Sequence, residues 1–203
     1  TTTLLLYRAC YFCAMFLLFS SSLLSQTFAD IATNAAYGGG WNNATNGGSG
    51  FQAWSLSSDG VNAGRFIGNP SDASYGLSST GIGTTAFGLY GHSGQYGYAL
   101  RSFNTSLGIG DILTFHWSMN WDCGNSGSKG WELRSGSTNI FGVGNSNSST
   151  ITYNGVATGT VSTNYGTAAM FVTIQRISST QYSVSITRRN TADGTFSTTI
   201  NSA

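Results

Sequence analysis

Seven carboxylates, two histidines and three cysteines are what the chain offers for acid–base, nucleophilic or metal chemistry. A hydrolase built on a β-sandwich sets two carboxylates on one face, about 5 to 10 Å apart. Asp59, Asp111 and Asp193 stand next to glycine in turn sequences, where an aspartate caps its own backbone. Asp30, Asp72 and Asp122 are scattered, and Glu132 is isolated between Trp131 and Leu133 with Arg134 as its near cation. No alternating run of acids would place a pair on one strand face. His92 falls in the turn Gly91-His92-Ser93-Gly94, and His116 on the polar side of a strand pattern beside Ser118 and Asn120. No G-x-S-x-G elbow leads into a helical pattern. The expectation is therefore no enzyme and no cofactor. Calcium is the one ion that oxygen-rich turns could take, through Asp122, Asn125 and Ser126 or through Asp59 and Asn62, but the fixed spacing of a calcium loop is missing.

Binding chemistry is better represented. Trp41 and Trp54 lie in glycine-rich loops, and exposed aromatic rings among asparagines stack on sugar rings. Both are taken as glycan-stacking candidates, whereas Trp117, Trp121 and Trp131 lie on strands and are expected in the core. Tyr90, Tyr96 and Tyr98 add to the aromatic surplus. Asn43, Asn104 and Asn147 open N-x-S/T sequons and are glycosylation candidates.

The elements that must position these residues are strands. Leu113, Phe115, Trp117, Met119 and Trp121 alternate with polar residues, the period of a half-buried strand. Met170, Val172, Ile174 and then Tyr182, Val184, Ile186 repeat it around the polar Ser178-Ser179-Thr180, which predicts an antiparallel hairpin over residues 170–188. Weaker strands are expected at 87–90, 96–100 and 131–134. Turn clusters separate them at 47–50, 59–60, 108–111, 124–127, 154–155 and 193–194. Beyond residue 30 no 3.6-residue apolar period is sustained. The fold class expected is all-β, an antiparallel β-sandwich of jelly-roll or concanavalin-A-like type.

Residues 1–29 read differently. Arg8 precedes an apolar run to Phe19, then a serine-rich step and Thr27-Phe28-Ala29. That order suits a secretory signal peptide cut after Ala29, with a retained membrane anchor as the alternative. Cys10 and Cys13 lie within that run; Cys123 remains, expected buried and outside any disulfide framework. The mature chain, residues 30–203, is read as a single domain with an extension over 30–40, secreted and carrying no membrane segment.

Composition narrows the partners. The chain of 203 residues carries a net charge of +1 with 7% charged residues, against about 25% in ordinary domains. Phosphate neutralisation needs more cation than that, so nucleic acid is excluded as a partner.

Tyr37-Gly38-Gly39-Gly40-Trp41, followed by Asn46-Gly47-Gly48-Ser49-Gly50-Phe51-Gln52-Ala53-Trp54, resembles an N-terminal pattern, Y-x-x-G-W then N-G-G-x-G-F-x-x-W, of exported bacterial proteins of unassigned function. The resemblance implies a jelly-roll or concanavalin-A-like sandwich outside the cell and carries no catalytic residue. Where that pattern usually has a glycine, this chain has Asn42-Asn43-Ala44-Thr45.

Natural edge strands carry lysine, proline or inward charges that block edge-to-edge pairing. With one proline and few charges, this chain can place few such guards. The flanks of the 170–188 hairpin are expected to template a further strand. The extension, with Asp30, Ile31, Ala32, Ala35 and Tyr37, is expected to lack a core of its own and to add to a neighbouring subunit. Head-to-tail joining of that kind makes open fibres. The function expected is self-assembly into an extracellular filament or surface layer at the cell surface; the alternative is a carbohydrate-binding, lectin-like module, and a glycoside hydrolase is remote.

Overall fold

The computed structural model describes residues 28–71, 80–92, 94–119, 127–148, 150–162, 169–188 and 195–201. Within them the chain is all-β and antiparallel, apart from one 3-10 turn at Ala35–Tyr37. The first four strands are β1 (Ser55–Ser58), β2 (Ala63–Gly68), β3 (Ala86–Gly91) and β4 (Gly97–Leu100). Then follow β5 (Ile112–Trp117), β6 (Ser128–Ser135), β7 (Thr138–Ser146), β8 (Ile151–Gly155) and β9 (Gly159–Ser162). The last three are β10 (Met170–Arg176), β11 (Gln181–Arg188) and β12 (Thr195–Asn201).

Two four-stranded sheets form the sandwich, ordered β12-β11-β10-β5 and β6-β7-β8-β9. The predicted hairpin is present: Val172 faces Ile186 and Ile174 faces Val184 across the β10–β11 ladder. Their alternate residues point inward and are almost wholly buried. Leu133, Phe141, Val143 and Ile151 of the second sheet close the same core. Truncating such a side chain to alanine costs about 2–5 kcal/mol, which makes this layer the main source of stability. Phe115 meets Trp131 edge-on at 4.8 Å and Phe196 meets Tyr153 at 5.0 Å. Thus β5 lies over β6, and β12 over β8. One border of the sandwich is formed by β12 and β9, the other by β5 and β6.

Arg176 secures the hairpin turn. Its Nε and Nη2 donate to the carbonyls of Ser178 and Ser179, while Nη1 donates to the Leu107 carbonyl in the loop before β5. Trp117 and Trp131 pack against the core as expected. Trp121, Asp122, Cys123, Asn125 and Ser126 lie outside the described residues, as do Asp72 and Asp193. Asn154-Gly155, expected as a turn, instead ends β8, with Gly155 opposite Phe141.

The N-terminal third has its own structure. Two ribbons, β1–β4 and β2–β3, pack around a second core of Tyr37, Trp41 and Leu56, with Trp54, Ile67, Phe87 and Ala99 against it. This corrects the expectation that the extension over 30–40 holds no core: its Tyr37, 4% exposed, packs with the next aromatic, Trp41, 5% exposed, at the centre of one. The glycines around them let the backbone turn tightly enough to bring both rings inward. Phe28 and Phe103, edge-on at 5.0 Å, join this region to the sandwich core.

Residues 1–27, with the leader or anchor read from them, lie outside the described residues. Phe28 and Ala29, which a cut after Ala29 would remove, belong to the fold: Ala29 exchanges backbone hydrogen bonds of 3.1 and 2.8 Å with Ser49. Among the described residues no helix is long and apolar enough to cross a membrane.

Candidate functional site

The most concentrated polar cluster gathers around Asp30. Its carboxylate pairs with Arg101, both side chains being more than nine-tenths buried. Asp30 Oδ2 also accepts from Tyr37 Oη at 2.5 Å and from Trp54 Nε1 at 3.3 Å. Arg101 donates Nε to the Gln52 carbonyl at 2.8 Å and Nη2 to Asn46 Oδ1. Its guanidinium lies 4.7 Å from the Phe51 ring and 4.9 Å from the Trp54 ring, within cation–π range. Tyr37 Oη in turn accepts from Gly47 N at 3.0 Å. Burying a charged pair costs solvation that close, bonded geometry offsets. Asp30 Oδ2 and the guanidinium are bonded in this way, while Asp30 Oδ1 is buried without a hydrogen-bond partner among the described residues. The cluster fastens residues 30–54 to the loop after β4. Its chemistry is anchoring.

That placement decides several of the sequence-predicted residues. Asp30 and Tyr37 are held by their own chain, Ala32 is buried, Ala35 sits in the 3-10 turn, and Ile31 alone of the five shows a large exposed apolar surface. The segment is docked at home rather than free to join a neighbour. Trp41 is buried, edge-on to Trp54 at 5.1 Å and tilted against Phe87 at 4.7 Å. Trp54 is enclosed by Trp41, Phe87 and Arg101, with Nε1 bonded to Tyr37 and Asp30. Trp41, 5% exposed, presents no free face to a sugar, so the glycan-stacking expectation is corrected there; Trp54 is half-buried, its contacts on one side and its indole nitrogen taken by its own chain. In the glycine-rich loops the rings fold back, because nothing bulky beside them keeps them out of the core.

The sequon residues Asn43, Asn104 and Asn147 are all exposed. Asn43 Oδ1 accepts from Leu56 N at 2.9 Å and Asn104 Oδ1 from Gln52 Nε2 at 2.7 Å. Asn147 takes φ 49°, a left-handed conformation that asparagine tolerates. Asp59 is committed to capping Tyr96 N, and Asn62 N donates to Gln95 Oε1 at 2.7 Å. Among the described residues no group of three metal-ligating side chains comes together. Glu132 does pair with Arg134, at 2.7 Å. The hydrogen bond from Arg134 to Glu132, then the carboxylate's charge, raise the guanidinium above its usual range, with a smaller contribution from Tyr98. His116 is exposed and edge-on to Phe171 at 4.3 Å.

The sheet borders are the remaining feature. Both sides of the 170–188 hairpin are occupied within the chain, by β5 and by β12, so the expected template lies in the middle of a sheet. The open edges are one strand further out. Among the described residues no strand pairs with the outer edge of β12 or of β5. β12, Thr-Phe-Ser-Thr-Thr-Ile-Asn, contains no charged residue and no proline over seven positions. β5, Ile-Leu-Thr-Phe-His-Trp, has neither acid nor lysine. The border charges are placed on β6 instead, at Lys129, Glu132 and Arg134. The sequence signal for β12 was present in its alternation of Phe196, Thr198 and Ile200, but its position at an edge is a matter of topology.

No family model, curated protein or solved structure matches this chain.

Proposed function

We propose that the protein works by self-assembly outside the cell, as the subunit of a filament or surface layer. The observation that carries this reading is the pair of unguarded edges at opposite ends of one sheet. All neighbours in the order β12-β11-β10-β5 are antiparallel. With four strands alternating in direction, the two edge strands run opposite ways. A second copy in the same orientation therefore brings its β5 antiparallel to the first copy's β12. The pleat also agrees: Phe196, Thr198 and Ile200 of β12 and Leu113, Phe115 and Trp117 of β5 are the inward sets. A register that sets these residues side by side continues the core across the seam. Joining unlike edges does not close on itself unless the rotation makes a ring, so it propagates.

The secretory character of residues 1–29 and the resemblance over residues 37–54 support an extracellular, cell-surface location and a jelly-roll or concanavalin-A-like kinship. Assembly then falls to β12 and β5, while residues 30–40 anchor their own chain. Electron microscopy of the full chain tests this reading. Fibres or sheets are expected for the unaltered protein, and particles of single-subunit size at all concentrations overturn it.

A further inference from the structure

The outward face of the β12-β11-β10-β5 sheet carries an ordered array of hydroxyls. Ser197 faces Ser185, Ser185 faces Thr173, and Thr173 faces Thr114, so one row of hydroxyl side chains crosses all four strands. Beside that row Thr195 faces Thr187 on one side, and Thr199 faces Ser183 on the other. These residues alternate with the buried set of Val172, Ile174, Val184 and Ile186, and each is exposed or half-buried. The three ladders run without a register shift, unlike β6–β7 and β8–β9. Bulges bend a strand and increase its twist, so their absence keeps the array regular. Its rows are then about 6.8 Å apart along the strands, and hydroxyls within a row about 4.8 Å apart across them.

The face also carries no fixed charge. Among the described residues no lysine, arginine, aspartate or glutamate projects from it, because Arg176 and Arg188 fall in the inward phase of their strands. Its one ionisable side chain is His116, on the edge strand and edge-on to Phe171. Protein partners are anchored by Trp, Tyr and Arg and sugars by open aromatic rings. The hydroxyl rows hold none of these.

What the array matches is a lattice of water. Hexagonal ice sets oxygens on its prism faces at repeats close to both spacings. A hydroxyl donates one hydrogen bond and accepts two, so it can bond into such a surface. Thr187 and Thr195 already hold each other, Oγ1 to Oγ1, at 3.1 Å. The stiffness of threonine at χ1 leaves little freedom to lose on contact. Ice does not take up ions, and a charged side chain with its hydration shell would hold the surface off the lattice. A charge-free face is the complement.

We infer that this face binds ice, its hydroxyl rows seated on a prism face through hydrogen bonds to the outermost waters. The inference is independent of the assembly reading, since a sheet face and a sheet edge are different surfaces. Micrographs read the one and ice the other, so either can fail alone.

Uptake into ice and thermal hysteresis of the full chain test the inference. The fluorescently labelled protein is expected to enter a slowly growing ice hemisphere, and to hold the freezing point of a seeded droplet below its melting point. Thr187 is exposed on an inner strand, so Thr187→Lys leaves both edges untouched and the fold intact. That variant is expected to lose both properties with an unchanged circular dichroism spectrum. Ser185→Lys, in the middle row, serves as a second arm with the same expectation. Thr152→Lys/Thr160→Lys, at paired exposed positions of β8 and β9, is expected to keep both. Exclusion of the unaltered protein from ice, full activity of Thr187→Lys, or equal loss in the β8–β9 variant overturns the inference. Retention on crystalline cellulose without uptake into ice does so too.

Discussion

Ala44 holds φ 65°, in the left-handed region where a β-carbon is crowded. It is kept there by a small ladder in which Ala44 N donates to the Trp54 carbonyl at 2.9 Å and Trp54 N to the Thr45 carbonyl at 3.0 Å. The left-handed form costs a residue with a side chain about 1–2 kcal/mol, partly offset because glycine loses more entropy on folding. Ala44→Gly is accordingly expected to stabilise the protein by up to about 1 kcal/mol, seen as a higher denaturation midpoint; an unchanged or lower midpoint contradicts this account of the loop. The same stretch departs from the glycine-bearing pattern that residues 37–54 resemble, so the strained position was legible in the sequence as a mismatch. Asp30 is the opposite case. Its partner Arg101 is 71 positions away, and nothing in the spacing joins them. Removing one member of a buried pair strands the other charge and costs about 3–5 kcal/mol. Asp30→Ala is therefore expected to unfold the N-terminal ribbons at lower denaturant than the sandwich, followed by Trp fluorescence near Trp41 and Trp54. Retention of full stability would show that the cluster is not the anchor.

At the scale of elements, strands with one buried face announced themselves. β5, β10 and β11 alternate cleanly because one side of each meets the core. β7 did not, since Ile140, Phe141, Gly142 and Val143 are buried in succession and burial on both faces erases the period of two. β2, with glycines at 64 and 68, was not read as a strand, whereas β3 was expected as a weak strand at 87–90 with its last residue, Gly91, assigned to the following turn. Whether a strand stands at an edge depends on pairings between distant segments, which local patterning does not carry. That is why the edge proposed for assembly is β12 and not the hairpin, which lies inside the sheet. Ser197 and Thr199 are exposed on β12, so lysines there should change stability by no more than about 0.5 kcal/mol while guarding the edge. Ser197→Lys/Thr199→Lys is expected to remain folded and to sediment as single subunits; persistent fibres in that variant would remove β12 from the seam.

For the whole molecule, low charge and the all-β class were already evident in composition and periodicity, and the division into a sandwich and an N-terminal pair of ribbons was not. The second core arises from Tyr37, Trp41, Leu56, Ile67 and Phe87, residues spread over some fifty positions with no shared period. Among the described residues the border charges are on β6, and the outer edge of β12 has no partner strand. Assembly through unlike edges is the central claim, and disulfide trapping across the seam tests it most directly. In a background with Cys10, Cys13 and Cys123 changed to serine, Thr114→Cys and Thr199→Cys place one thiol each on the outward faces of β5 and β12. Mixed and oxidised, the two single variants are expected to give heterodimers, and the double variant a ladder of covalent oligomers. Homodimers of the Thr199→Cys variant without a ladder, or no cross-linking under conditions where the thiols are reactive, would contradict head-to-tail assembly.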